Sequence, residues 1–230
     1  MRVAAGTSGF SYKEWQGSFY PLKFPPSKML EFYAERLPSV ELNNTFYRMP
    51  QEKLIRGWQE RAPASFRFAL KAPQQMTHSR KLVDCGEPLA RFVQVAAGLG
   101  DQLGPLLFQL PPTFQRDVTR LRAFLASLPP GVRAAFEFRH PTWFDESTFA
   151  VLREHNVALC IAEVDGEPAP PIVATADFGY FRLRREDYTP EHIAVWAESI
   201  RSQPFTEAYV FFKHEKRAPV LATTFNEHFR

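Results

Sequence analysis

Short runs of alternating apolar and polar residues recur along this chain, and most are followed by a stretch with helical spacing. The clearest run is Ala134-Ala-Phe-Glu-Phe-Arg-His-Pro-Thr-Trp-Phe144. Successive strand side chains point to opposite faces, so Phe136 and Phe138 share one face while Ala135, Glu137 and Arg139 share the other. His140-Pro141 stops the run, because proline cannot donate to a ladder. Similar runs predict strands at 2–6, 40–43, 66–71, 105–110, 157–163, 180–184 and 208–215. Helical spacing predicts helices at about 27–37, 51–61, 88–103, 118–128, 146–155, 190–201 and 220–229. Ser27 is the expected cap of the first helix, and Thr189-Pro190-Glu191 opens the sixth with a cap, an N1 proline and an acidic first turn.

Strand and helix alternating over this length predict an α/β fold, a TIM-type (β/α)8 barrel. A doubly wound open sheet is the rival, and the chain has no glycine-rich phosphate turn after its first strand to favour it. The 230 residues are expected to form one domain, with 45% hydrophobic residues and 22 Phe for its core.

In a barrel, the bulky faces pack under helices and the other parity points inward. On that inward parity lie Glu41 and Asn43, Lys71, Gln109, Glu137 and Arg139, Arg182 and Arg184, and Lys213 and Glu215. The strand six parity is open, since Ala158 and Cys160 are both small. The following loops add Thr7, Ser8, Tyr12, Tyr47, Arg48, His78, His140 and Trp143. Trp15 and Trp143 fit lid packing and ligand stacking equally. The bland reading of the charged set is an ion-pair network filling the barrel, because buried charges need partners. Polar clustering at one end of a barrel favours a site.

Net charge is +3, from 28 basic and 25 acidic residues, too balanced to point to nucleic acid or membrane. Cys85 and Cys160 are far apart with no metal spacing, and Cys160 reads as a buried thiol. No signal-type apolar core opens the chain and no run approaches the roughly 20 apolar residues of a span, so a soluble cytoplasmic protein is expected.

Three functions fit. The first is an enzyme acting on a small anionic or sugar-like ligand. Glu41 and Glu137 would exchange protons, with Lys71 and His78 as further catalytic candidates. Arg139, Arg182, Arg184 and Lys213 would grip phosphate or carboxylate, since guanidinium forks match those anions. Thr7, Ser8, Tyr12, Asn43, Tyr47, Arg48, Gln109, His140 and Trp143 would complete the ligand contacts. The second is a divalent-metal enzyme using Glu41, His78, Glu137 and Glu163 or Asp165. The third is a nucleic-acid or protein-binding module. Neither Glu137-x-x-His140 nor His214-Glu215 is a specific metal motif, and no cofactor is specified.

Several motifs together resemble the YecE-like family, also called domain of unknown function 72. They are Gly6-Thr-Ser-Gly-Phe-Ser-Tyr12, Trp15, Phe19-Tyr-Pro21, Glu41-Leu-Asn-Asn-Thr-Phe-Tyr-Arg48-Met-Pro50, Phe68-Ala-Leu-Lys71-Ala-Pro73, Thr77-His78, Leu103-Gly-Pro-Leu-Leu-Phe-Gln-Leu-Pro-Pro112, Glu137-Phe-Arg-His140 and Trp143-Phe144. The resemblance implies a TIM-type barrel and no established reaction. The last third departs from the family pattern. Phe212-Lys-His-Glu215 stands where an asparagine-containing segment is expected, and Arg182-Leu-Arg-Arg-Glu186 replaces an Arg-Leu-His-Gly type. A branch with a more charged mouth is expected.

Overall fold

Eight parallel strands close into a barrel in the computed structural model, which describes residues 1–167 and 170–230. The strands are β1 (Arg2–Ser8), β2 (Ser39–Leu42), β3 (Arg67–Lys71), β4 (Leu103–Gln109), β5 (Ala134–Glu137), β6 (Ala158–Val164), β7 (Phe178–Arg184) and β8 (Glu207–Phe212). Each pairs with the next, and β8 closes onto β1. The helices are α1 (Met29–Ala34), α2 (Glu52–Gln59), α3 (Gly86–Ala96), α4 (Val118–Ala126), α5 (Glu146–Glu154), α6 (Pro190–Arg201) and α7 (Ala218–Glu227). This is a TIM-type (β/α)8 barrel in which the described part of the β6–β7 connection contains no helix. Among the described residues no helix is long and apolar enough to cross a membrane.

The alternation within each strand separates two apolar layers. Outward residues pack under the helices through aromatic contacts: Phe108 and Phe136 meet Phe124 of α4, Phe181 meets Trp196 of α6, and Phe212 meets Phe225 of α7. Inward residues are smaller on one side, with Ala4, Ala69, Leu107, Ala135, Ala158 and Cys160, and aromatic on the other, with Phe178, Tyr180, Tyr209 and Phe211. Strand six therefore turns Ala158 and Cys160 inward. Its small side chains leave room for the large ones of β7 and β8, as close packing requires.

Three expected bounds shift for local reasons. Ser27 caps no helix; it lies inside a 3-10 turn, Pro26–Lys28, that leads into α1. The expected helix at 88–103 begins at Gly86, tightens to 3-10 from Ala97 and breaks at Gly100, whose φ of 55° is left-handed. The last strand stops at Phe212 rather than Glu215, because His214 Nδ1 accepts the amides of Lys216 and Arg217 and turns the chain into α7. The expected Thr189 cap is present, its hydroxyl accepting the His192 amide ahead of Pro190 at the start of α6.

Gly6 lets β1 and β2 approach. A Cβ there would lie 1.9 Å from the Ser39 carbonyl oxygen. That oxygen belongs to backbone and cannot rotate away. Gly6→Ala is expected to cost at least about 1–3 kcal/mol, the usual penalty of overpacking. Urea unfolding measures it; an unchanged midpoint would mean the two strands separate freely.

Candidate active site

The C-terminal strand ends carry a charged layer above the apolar interior. Register sets it up, with Ser8 beside Glu41, Gln109 beside Glu137, and Ala162 beside Arg182. At its centre the Arg182 guanidinium reaches two strands. Nη1 donates to Glu137 Oε2 at 2.6 Å, while Nη2 and Nε donate to Glu41 Oε1 at 2.8 and 3.2 Å. All three side chains are at most 4% exposed. Glu41 also accepts from Ser8 Oγ and Asn43 Nδ2 on Oε1, and from the Tyr180 hydroxyl on Oε2. Glu137 Oε1 accepts from Gln109 Nε2, Arg184 Nη2 and Arg139 Nε. No carboxylate oxygen of the pair is left without a donor.

That geometry sets the ionisation. Burial opposes charge on Glu41, but the Arg182 charge and the bonds from Asn43, Arg182 and Ser8 overcome it, so its pKa is lowered. Burial likewise opposes charge on Glu137, and Arg182, Arg184 and Arg139 outweigh it and hold the carboxyl well below its ordinary range. Both groups, expected from the sequence to exchange protons, are held ionised. Burial and the Glu41 charge push the Tyr180 hydroxyl far up, so it donates and stays neutral.

Lys71 differs. Its Nζ donates to Gln109 Oε1 at 2.8 Å and sits 3.9 Å from the centre of the Phe46 ring. Among the described residues it has no carboxylate within ion-pair distance, although the residue is only 8% exposed. Burial, then Arg182 and Arg139, outweigh the opposing pull of Glu137 and Glu41 and lower its pKa to about 8. His78 packs edge-on against the same Phe46 ring, and burial with Lys71 and Arg139 lowers its pKa, keeping the imidazole neutral near pH 7. Burial, Arg182 and Arg184 also lower the pKa of Lys213, at the rim beyond β8.

The structure thus gathers Ser8, Glu41, Asn43, Lys71, Gln109, Glu137, Arg139, Arg182 and Arg184, with His78 and Lys213 near them. Other expected contacts lie elsewhere. Thr7 points outward and is buried against Tyr33, bonding its hydroxyl at 2.8 Å. Trp143 is fully buried, donates to the Phe114 carbonyl and stacks on Phe138, so it packs rather than lies open to a ligand. Trp15 is buried too, its indole bonded to the Glu215 carbonyl. His140 shares a hydrogen with Thr142 and caps a 3-10 turn. Tyr47 is exposed, and Arg48 lines a separate hollow with Asn44 and Pro50. Tyr12 bonds the Ser8 carbonyl and stays at the rim. The metal set does not converge: Arg182 lies between Glu41 and Glu137, and Glu163 is bonded outside the barrel by Tyr188 and Trp196. Two residues escaped the sequence reading. Tyr180 shares the parity of Arg182, a signal that was available; Phe46 had none, because its ring position depends on the turn after β2.

Two hollows open beside the charged layer. One, of about 550 Å³, is lined by Arg139, Arg184 and Glu137 together with Pro112, Phe138, Phe144, Val164 and Glu167. Its Arg184 Nε is buried with no acceptor among the described residues. The other, of about 380 Å³, lies between Tyr12, Trp15, Lys213 and His214.

The profile of a family described as protein of unknown function DUF72 matches residues 4–230. The chain belongs to the DUF72 family. Curated relatives include UPF0759 protein YecE of Escherichia coli (strain K12), 34% identical over 116 residues, 50% of this chain and 43% of that protein. UPF0759 protein YunF of Bacillus subtilis (strain 168) is 29% identical over 174 residues, 69% of this chain and 61% of its own length. The matched stretches thus span less than two thirds of either relative. A crystal structure of a DUF72 family protein from Thermotoga maritima MSB8 superposes over 100% of this chain and 99% of its own, with a TM-score of 0.85 and 28% identity. One from Enterococcus faecalis V583 shares the fold at a TM-score of 0.81 and 20% identity, over 98% of this chain and 94% of its own.

In this DUF72 barrel the two inner carboxylates carry an acid-sensitive part of the stability. Their folded pKa values lie below the unfolded ones, so the unfolded chain binds protons first. The contribution is complete above the ordinary carboxylate value of 4.5 and is lost as pH falls below it. Glu137→Gln is expected to cost about 3–5 kcal/mol at neutral pH, by leaving buried guanidinium groups short of a counter-charge. It should also lessen the fall of the urea midpoint between about pH 6 and about pH 3. A variant keeping the parent midpoint and acid slope would show that the pair carries none of this stability.

Proposed function

We propose that this chain is an enzyme acting on a small ligand with a carboxylate or phosphate group, held at the C-terminal mouth of the barrel. The charge imbalance of the inner layer carries the reading. Arg139, Arg182 and Arg184 share two carboxylates, Glu41 and Glu137, while Lys71 and Lys213 have no carboxylate within ion-pair distance among the described residues. An ion-pair network serving only the fold needs no buried cation without a carboxylate, such as Lys71, since such a group adds desolvation cost. The orphaned Arg184 Nε beside the larger cleft supports the same reading. The apolar walls there fit the non-ionic part of a ligand. Of the candidate proton-transfer groups, Lys71 is the best suited, because catalytic pKa values lie near the working pH and those of both carboxylates are lowered.

Inorganic phosphate tests the anion site. A ligand that binds the folded state alone stabilises it, by about 2.7 kcal/mol at a hundredfold excess over Kd. Phosphate should raise the melting temperature of the parent above a chloride control of equal ionic strength. The rise should shrink in Arg139→Gln and Lys213→Met. Equal shifts in all three proteins, or none beyond chloride, would overturn the reading.

The pH dependence tests Lys71. Its folded pKa of about 8 lies below the ordinary lysine value of 10.5, so between those values the unfolded chain binds the extra proton and stability rises with pH. Relative to Lys71→Met, the parent should gain stability over that window. A constant difference would mean that Lys71 titrates normally and has no tuned role.

A further inference from the structure

We propose that Lys71 is a covalent centre whose ε-amine condenses with the carbonyl of an aldehyde or ketone that also bears a carboxylate or phosphate. The inference rests on the anion-binding reading of the mouth and adds the reacting bond. Lys71 ends β3 on the inward face, so the strand rather than a mobile loop aims its nitrogen at the mouth. Nζ has three N–H donors, and Gln109 Oε1 accepts one of them. The Phe46 ring covers another side of Nζ. Among the described residues Nζ has no second hydrogen-bond acceptor.

A counter-ion role does not explain the residue. Glu137 already receives Arg182, Arg184, Arg139 and Gln109, and Glu41 receives Arg182, Ser8, Asn43 and Tyr180. A buried ammonium without a carboxylate partner costs stability that an apolar side chain of the same length would not. Desolvation beside other cations is a known way to raise the neutral, nucleophilic fraction of a lysine. Arg139 and Arg184 line the neighbouring cleft, suited to grip the anionic end while the carbonyl reaches Lys71.

The step balances without an oxidant or reductant. One ammonium proton leaves to water, and the nitrogen lone pair forms an N–C bond to the carbonyl carbon as the C=O π pair moves to oxygen. A second nitrogen proton and the returned one leave with that oxygen as water. The product is a protonated iminium, so ammonium plus carbonyl gives iminium plus water. The iminium draws electrons from the bond next to the former carbonyl carbon. That suits isomerase or carbon–carbon lyase chemistry, and hydrolysis restores the amine.

Reductive trapping tests this on the full chain. The native protein is incubated with sodium cyanoborohydride and, separately, pyruvate, glycolaldehyde phosphate or uncharged glycolaldehyde, and the modified peptides are mapped by mass spectrometry. At least one anionic carbonyl should modify Lys71 about tenfold or more faster than exposed Lys53, given the larger neutral fraction of a desolvated amine. Pyruvate against glycolaldehyde phosphate distinguishes a carboxylate-bearing ligand from a phosphate-bearing one. Inorganic phosphate should slow the reaction, and heat-unfolded chain should lose the preference. Lys71 labelled no faster than Lys53 by every carbonyl overturns the covalent role, even where phosphate still raises the melt and the anion site stands. Glycolaldehyde matching its phosphate, with no competition by inorganic phosphate, overturns the ligand class and the anion site together while leaving a reactive amine. Because the comparison is made within the parent protein, it holds whether or not a Lys71 variant folds.

Discussion

One guanidinium holds the upper half of this barrel together. Arg182, on β7, reaches across the interior to Glu41 on β2 and Glu137 on β5. Bringing these charges out of water is costly, and the cost is offset only where geometry is good and remaining lone pairs are satisfied. Here both conditions hold, since each carboxylate oxygen accepts at least one donor. The network also specifies register. A slip of one residue in β7 would turn Arg182 into the helix layer and leave two carboxylates buried without it.

The same network decides what chemistry is left to the mouth. Carboxylates fixed as anions by three arginines make poor proton donors, so the titratable capacity near neutral pH falls to Lys71, with neutral His78 on the same Phe46 ring. Lys71 is held by burial and by cations in a state that costs the fold stability. Strain and unfavourable charge of this kind persist where function favours them. The apolar layers below and outside make this tolerable. Phe66, Phe68, Phe108, Phe136 and Phe181 under the helices, with Tyr180, Tyr209 and Phe211 inside, bury a large apolar area beneath the charged layer.

Much of the architecture was legible in the chain. Period-two alternation, ended by proline in β3, β4 and β5, located the strands, since side-chain direction in a strand follows from backbone geometry alone. Parity then told which residues of β2, β3, β4, β5 and β7 face inward, and Glu41, Lys71, Gln109, Glu137 and Arg182 are all found there. The loops were less legible. Thr7, Trp143, His140 and Tyr47 were assigned to the mouth by their nearness to strand ends, and loop side chains have no period to say where they turn. Thr7 goes to Tyr33, Trp143 to Phe138, and His140 to its own turn.

What the amino-acid sequence determined by itself is therefore the barrel, its inward set of charges and the family to which they belong, because each depends on local periodicity or on short motifs. What only the tertiary structure decided is which charge partners which. Glu41 and Arg182 are 141 residues apart, and Glu137 and Arg182 are 45 apart. Their pairing follows from closure of the barrel and the reach of a guanidinium across it. Burial and neighbouring charge then shift ionisation through distances that no linear spacing encodes, so the carboxylates become fixed anions and the pKa of Lys71 falls.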